Sequence, residues 1–224
     1  FLANETPKKH RLDQQTYQKH RRNNFGLNQQ TNYINSTIDS YLPKRKAQLK
    51  IELSILIPTL DCRETQFKGL CIKLKKQISK WKLEDKVEIV FFKDNKHHTV
   101  GHKRNKLMNK ASGEYVCFLD DDDDIHQDYV KILFDALKDK PDCVGITGII
   151  TDKGQNPTEF TQSLQNKTHS KKDGKYLWPI RHLNPVKKEI ASKFKFTNKN
   201  NGEDTDWHMQ LVRSGLLKKE AFVP

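Results

Sequence analysis

Apolar residues in this 224-residue chain fall into short blocks, and from Ile51 onward the blocks alternate between two periods. Leu53, Ile55, Leu56 and Ile57, closed by Pro58, form a short apolar run that predicts a buried strand. Phe67, Leu70, Leu74, Ile78 and Trp81 follow at spacings of three and four, the signature of an amphipathic helix. Residues 87–92 predict a second buried strand, and a polar loop of Lys, His and Asn comes after it. From Thr99 a helix turns Leu107, Met108 and Ala111 inward and stops at Ser112-Gly113. Residues 115–119 predict a third strand. Tyr129, Val130, Leu133, Phe134 and Leu137 mark the next helix, stopped near Pro141, and residues 143–150 predict a fourth strand. Residues 151–180 are polar and predict a long irregular loop. Two helices are predicted over 186–194 and 204–217.

Strand and helix in alternation imply an α/β fold, a mainly parallel sheet with helices on both faces. Such sheets bind ligands beyond the carboxyl ends of their strands. The segments after Ile57, Phe92 and Leu119 all lie on that edge.

Composition adds a boundary. Residues 1–50 hold 10 Lys and Arg against three Asp and Glu, so they read as a basic, polar N-terminal extension, and residues 51–224 as the folded domain. The extension lacks the interleaved aromatics and glycines of a nucleic-acid platform and reads as a solvated arm, making nucleic acid a disfavoured partner. The chain contains no apolar stretch of about 20 residues that would span a bilayer, and its start has no basic-then-apolar signal pattern. Because it opens on Phe1 rather than Met, it reads as a piece of a longer protein. Cys62, Cys71, Cys117 and Cys143 form no CxxC pair and are expected as free thiols. That usage suggests a cytoplasmic protein, with peripheral membrane contact left open. Asn-x-Thr sequons at Asn4, Asn35 and Asn166 are expected by chance in an Asn-rich chain.

The candidate chemistry lies in three segments. The first is Asp120 to Asp124, directly after an apolar run. Adjacent carboxylates repel, so a cation is expected there. Hard ions such as Mn²⁺ or Mg²⁺ take carboxylate oxygens and share them with substrate phosphates. On an extended segment Asp120 and Asp122 point the same way and Asp121 the other. A solvated acidic loop or a charged cap on the next helix is the competing reading. The second segment, Gly101 to Lys106, places Lys103 and Arg104 in the first turn of a helix, a position suited to phosphate. The third, Gly202-Glu-Asp-Thr-Asp-Trp-His, puts Glu203 and Asp204 at a helix start, where a carboxylate can act as general base or simply complement the helix dipole. Trp207 and Leu211 share a face suited to core packing. His97-His98 reads as a solvated loop.

In this order the segments resemble family-2 glycosyltransferases of the GT-A fold. Leu53 through Thr59 is similar to the first strand and its nucleotide-contacting end. Residues 87–94 are similar to the second strand, whose closing Asp94 would hold the base or ribose. Gly101 through Leu119, with Arg104, Asn105, Gly113, Glu114 and Tyr115, resembles the stretch leading into a DxD motif at Asp120–Asp122. Gly202-Glu-Asp resembles the "ED" motif, whose Asp204 would be the catalytic base of an inverting enzyme. Thr59-Leu60 stands where the family usually has an aromatic residue, and Lys103 where many members have Ala.

The resemblance implies a metal-dependent transfer of a sugar, UDP-linked by preference, to an acceptor hydroxyl. Asp122 and Asp120 would hold Mn²⁺ or Mg²⁺. Pro58, Thr59, Asp94, Lys103, Arg104, Asp120 and Asp121 would contact the nucleotide-diphosphate sugar, and Asp204 with Glu203 would serve catalysis. Residues 51–150 would be the nucleotide-sugar half and 151–224 an acceptor-side half cut short at Pro224, with the acceptor itself, whether glycan, protein or lipid-linked, left unspecified. Two other classes fit the same composition. One is a metal-dependent nuclease or nucleotidyltransferase, against which the absence of a second carboxylate pair argues. The other is a catalytically silent GT-A-like binding module.

Overall fold

A computed structural model describes residues 50–152 and 154–224; the basic extension lies outside the described residues. Strand β1 (Leu53–Leu60) runs parallel to β2 (Val87–Asp94) along its whole length and parallel to β3 (Tyr115–Phe118) over its first half. Helix α1 (Glu64–Lys80) joins β1 to β2, and α2 (Val100–Lys110) joins β2 to β3. β1 does not stop at Pro58. The last bond between β1 and the β3 segment is donated by Leu119 N–H to the Leu56 carbonyl. Pro58 therefore falls beyond that ladder, where its missing N–H costs no strand pairing.

Helix α3 (Tyr129–Ala136) leads into β4 (Cys143–Asp152). The predicted irregular loop over 151–180 is instead ordered. β4 turns into antiparallel β5 (Gln155–Gln162), and β6 (Ser170–Lys172) and β7 (Lys175–Trp178) form a hairpin whose β7 arm pairs parallel with β5. The region predicted as one helix over 186–194 divides into β8 (Val186–Lys187), inserted antiparallel between β3 and β4, and a single turn α4 (Lys188–Ala191). Helix α5 (Glu203–Arg213) and β9 (Glu220–Val223), parallel to β4, close the chain. The sheet order is β2-β1-β3-β8-β4-β5-β7-β6, with β9 also on β4. It is parallel through β2, β1 and β3 and mixed beyond them.

Both faces are covered. Phe67, Leu70, Leu74 and Ile78 of α1 pack with Val130, Leu133 and Leu137 on Leu53, Ile55 and Ile57. Trp81 caps α1 at the surface and does not join this stripe. Leu107 and Met108 of α2 pack with Phe196, Trp207 and Leu211 on Leu56, Val116 and Phe118. Trp207 and Leu211 are thus core residues.

The second layer also fixes where the third segment lies. A Cβ at Gly101 would lie 1.8 Å from the Thr197 carbonyl oxygen, so only glycine lets α2 approach the 197–200 segment. Asn105 clips the same segment twice, donating to the Phe196 carbonyl and accepting from its N–H. Gly101→Ala must force this contact apart. We expect it to lower the unfolding free energy by about 2–3 kcal/mol, measured by urea denaturation.

Candidate active site

The carboxyl ends of β1, β2 and β3 open onto a cavity of about 490 Å³. Pro58, Thr59, Lys103, Arg104, Asp120, Asp121, Asp122 and Glu203 line it, with Arg63, His98 and Asn200. A second cavity of about 500 Å³ lies on the other side of the acidic segment, lined by Asp120, Asp122, Asp123, Gln162, Trp178, Arg181 and His182 among others. Asp120 and Asp122 border both.

The aspartate run is a tight turn, not the extended segment predicted. Asp123 N–H donates to the Asp120 carbonyl, and Asp120 N–H donates to the Asp123 carboxylate. Asp120 and Asp122 nevertheless face the same two cavities, while Asp121 turns inward and is buried. Its carboxylate accepts from the Thr59 hydroxyl at 2.7 Å and from Arg63 at 2.6 Å. Both its oxygens are thereby engaged in tying the turn to the end of β1.

Charge is offset at four of the five aspartates, Asp121 by Arg63. Arg104 pairs with Asp120 at 2.8 Å, Arg63 reaches Asp122 at 3.3 Å and Lys73 pairs with Asp124. Asp123 has no cation partner among the described residues, and burial, followed by the charge of Asp120, pushes its carboxyl up to about 6. The next helix is not capped by this run, since its N-cap is Asp128.

The start of α2 corrects a sequence expectation. Its first N–H groups do not face open space for a phosphate. Val100 N–H donates to Asn200, Gly101 N–H to the Lys199 carbonyl, His102 N–H to the Thr99 hydroxyl and Lys103 N–H to the Thr99 carbonyl. Lys103 is also committed. Its buried ammonium pairs with Asp94 and donates to the Thr59 carbonyl at 2.7 Å, locking the ends of β1 and β2 together. Asp94 itself does not line the cavity wall; His98, bonded to it at 3.0 Å, does.

Burial works against the Asp94 charge, yet bonds from Lys103 and His98 hold its carboxyl down at about 2, against an ordinary value of 3.8. A depressed acid stabilises the fold above its unfolded value and loses that contribution as pH falls toward its folded value. Asp94→Asn should therefore remove roughly 2 kcal/mol of stability at pH 7 and much less at pH 2. Urea unfolding of both proteins across that range is the measurement.

Arg104 is nearly fully buried and joins the motifs. Its Nη2 pairs with Asp120 and its Nε with Glu203 at 3.2 Å, and its plane lies over Phe118 and Phe196. Its Nη1 is buried without a hydrogen-bond partner among the described residues. Glu203 is buried behind this pair.

Asp204, one residue on, faces the second cavity's wall. Arg181 bonds its Oδ2 at 2.5 Å and His182 Nδ1 lies 3.3 Å from the same oxygen. Although burial opposes ionisation, His182 and Arg181 hold the Asp204 carboxyl well below the usual carboxylate range. Asp204 lines neither cavity; Arg181 and His182 stand between it and the second. His182 Nε2 is 3.9 Å from Asp120, so this one imidazole bridges the two candidate acidic centres. Burial, then Arg104, keeps its pKa below the ordinary histidine value. His208 meets only the Asp204 backbone carbonyl, not its side chain.

Sequence reasoning missed Arg63, Gln162, Trp178, Arg181 and His182. Arg63 follows the first strand directly and could have been found by its position. The others lie in or just after the region read as a loop, where no spacing marks them.

A parallel α/β core with an acidic turn after its third strand and a carboxylate pair on a later helix defines a GT-A-type domain. Residues 72–218 match the profile of glycosyl transferase family 2, and the chain belongs to that family. Comparison with curated proteins returns no match. Among solved structures the chain is similar to S. aureus TarS. It matches TarS residues 1-349 with a TM-score of 0.53 and 14% identity, covering 77% of this chain and 58% of that one. The same fragment in complex with UDP matches at 15% identity, with a TM-score of 0.53 and the same coverage. Its complex with UDP-GlcNAc matches at 14%, also with a TM-score of 0.53, covering 77% of this chain and 56% of that one. The chain thus spans less than two thirds of the TarS fragment, and the likeness is one of fold. No helix among the described residues is long and apolar enough to cross a membrane.

Proposed function

We propose that the domain transfers a sugar from a nucleotide-diphosphate donor to an acceptor hydroxyl, with inversion at the anomeric carbon. The observation that carries this reading is the pair of cavities sharing Asp120 and Asp122 as a common border. A donor in the first and an acceptor in the second would meet at these carboxylates. TarS, the same fold, has been crystallised with UDP and with UDP-GlcNAc, which favours a uridine nucleotide here.

The first cavity provides for a diphosphate through side chains. Arg63 and Arg104 both line it, each beside the aspartate turn. Thr59 and the end of β1, stiffened by Lys103 and Asp94, shape the nucleoside end. Lys103 and Asp121 act by positioning these parts.

A divalent cation fits the carboxylates present. Among the described residues no three His, Cys, Asp or Glu side chains form a complete protein site. Mn²⁺ and Mg²⁺ bound with substrate phosphates need only one or two protein carboxylates. Asp122, with its side chain 57% exposed at the border of both cavities, offers one, and Asp120 a second. When bound, the ion would supply Lewis-acid stabilisation of charge on the departing diphosphate. Asp204 would receive the acceptor proton by way of His182, which stands between it and the second cavity, and the contacts from His182 and Arg181 keep it ionised.

The test is release of nucleoside diphosphate from a panel of UDP- and GDP-sugars. Release is expected with one donor, and EDTA is expected to abolish it, with Mn²⁺ restoring it. No release from any donor with metal present would refute the transferase reading and leave the silent binding module.

A further inference from the structure

The second cavity holds groups that the fold itself leaves unused. Gln162 is 1% exposed, yet its Oε1 has no hydrogen-bond partner among the described residues. Arg181 lines the same cavity, and its buried Nε is likewise without a partner. A buried polar atom left unpaired costs about 1–3 kcal/mol, and two such atoms belong to residues that line this one cavity.

Beside them is a rigid apolar wall. Trp178 stacks on Phe160 with ring centroids 5.3 Å apart and planes within 18°, and on Tyr176 at 5.2 Å and 24°, while the Arg181 guanidinium lies over its ring at 5.2 Å. Gly148 makes room for the stack, since a Cβ there would meet the Phe160 ring at 2.5 Å. Ile149 and Ile150 continue the wall at the rim, exposed by 68% and 41%.

Charge narrows the occupant. Asp120, Asp122 and Asp123 line the cavity, and its one guanidinium is already paired with Asp204. An anionic acceptor would meet those carboxylates. An alkyl alcohol would leave Gln162 and Arg181 unpaired, and a serine or threonine peptide could pair them only through its backbone. A sugar ring carries several hydroxyls, both donors and acceptors, on a body with an apolar C–H face. We propose that this cavity is an acceptor subsite for a neutral saccharide, with hydroxyls paired to Gln162 and Arg181 and a C–H face against the apolar rim of Trp178, Ile149 and Ile150. This rests on the transferase reading above and names its acceptor class.

The test uses the full chain with the donor that shows nucleotide release. Acceptor probes are methyl glucoside, methyl galactoside, N-acetylglucosamine, N-acetylgalactosamine, cellobiose and maltose. Glucuronate, a Ser/Thr-containing peptide and octanol serve as the anionic, peptide and alkyl comparisons. Products are read by mass spectrometry. Transfer to at least one neutral saccharide, above all three comparisons, is the expected result. Gln162→Leu should raise the KM for that saccharide by about tenfold or more without altering affinity for UDP. The same substitution should raise the melting temperature, because it removes the unpaired oxygen. Trp178→Ala should also raise the saccharide KM. Transfer to the peptide, octanol or glucuronate in preference to every neutral saccharide overturns the proposal, as does an unchanged KM in Gln162→Leu. Nucleotide release without transfer to any saccharide overturns it while sparing the transferase reading. Failure of release with every donor removes both.

Discussion

Asp204→Asn is expected to slow sugar transfer by about 10²–10⁴-fold, the usual contribution of a positioned base. Asparagine keeps the size of the side chain and a carbonyl oxygen that Arg181 and His182 can still bond. Like Asp94→Asn, the substitution gives up the stability of a depressed carboxyl, so rates are compared well below the variant's melting temperature. Affinity for UDP should survive, since Asp204 does not line the first cavity. The expected pattern is a collapse of kcat with an unchanged nucleotide affinity, measured by initial rates and by calorimetry with UDP and Mn²⁺. Transfer at the full rate would remove Asp204 from the mechanism.

Arg104→Met has the largest expected effect on stability. Methionine fills much of the guanidinium's space against Phe118 and Phe196 but removes the charge that faces Asp120 and Glu203. Glu203 is 4% exposed and would become a buried, unpaired carboxylate. Breaking a buried pair from one side costs about 3–5 kcal/mol. For a domain of this size that corresponds to a fall in melting temperature of about 10 °C. Scanning calorimetry is the measurement. A change below about 1 kcal/mol would show that Glu203 finds another partner or takes up a proton. The double variant Arg104→Met with Glu203→Gln should recover part of the loss, because the orphaned charge is then gone.

Much of the nucleotide half was legible because its signals are strong. β1 and β3 are buried runs, and α1 shows its stripe from Phe67 to Ile78. The acidic turn, Arg104 and the Glu203-Asp204 pair were legible through their order along the chain. The acceptor side was not. β5, β6 and β7 are short, largely exposed and rich in Gln, Thr and Lys, so they carry neither an apolar run nor clear alternation. Residues that face a cavity from such strands, Gln162 and Trp178, look like any surface residue in sequence. Arg181 and His182 owe their place to β8, which inserts between β3 and β4 and brings the preceding turn beneath Asp204.

Lys103 shows a different limit. A lysine in the first turn of a helix suggests phosphate, but its burial beside Asp94 makes it a strut between two strand ends. The sequence also carried reasons that only packing explains. Gly101 is needed because α2 touches the Thr197 backbone. Gly113 is needed because a Cβ there would lie 2.6 Å from the backbone nitrogen of Ser54. Asn166, one of the three sequons, spends its amide on the carbonyls of Thr161 and Trp178. Asn4 and Asn35 lie outside the described residues.

The central claim is that the carboxylates at the end of β3 hold a nucleotide diphosphate through a divalent ion. Calorimetric titration of UDP into the wild type and Asp122→Asn, each with Mn²⁺ and with EDTA, tests it most directly. The expected result is binding by the wild type that weakens by at least about tenfold in EDTA, and an Asp122→Asn variant whose weak binding no longer responds to metal. Equal affinity in all four titrations, or no binding in any, would contradict it.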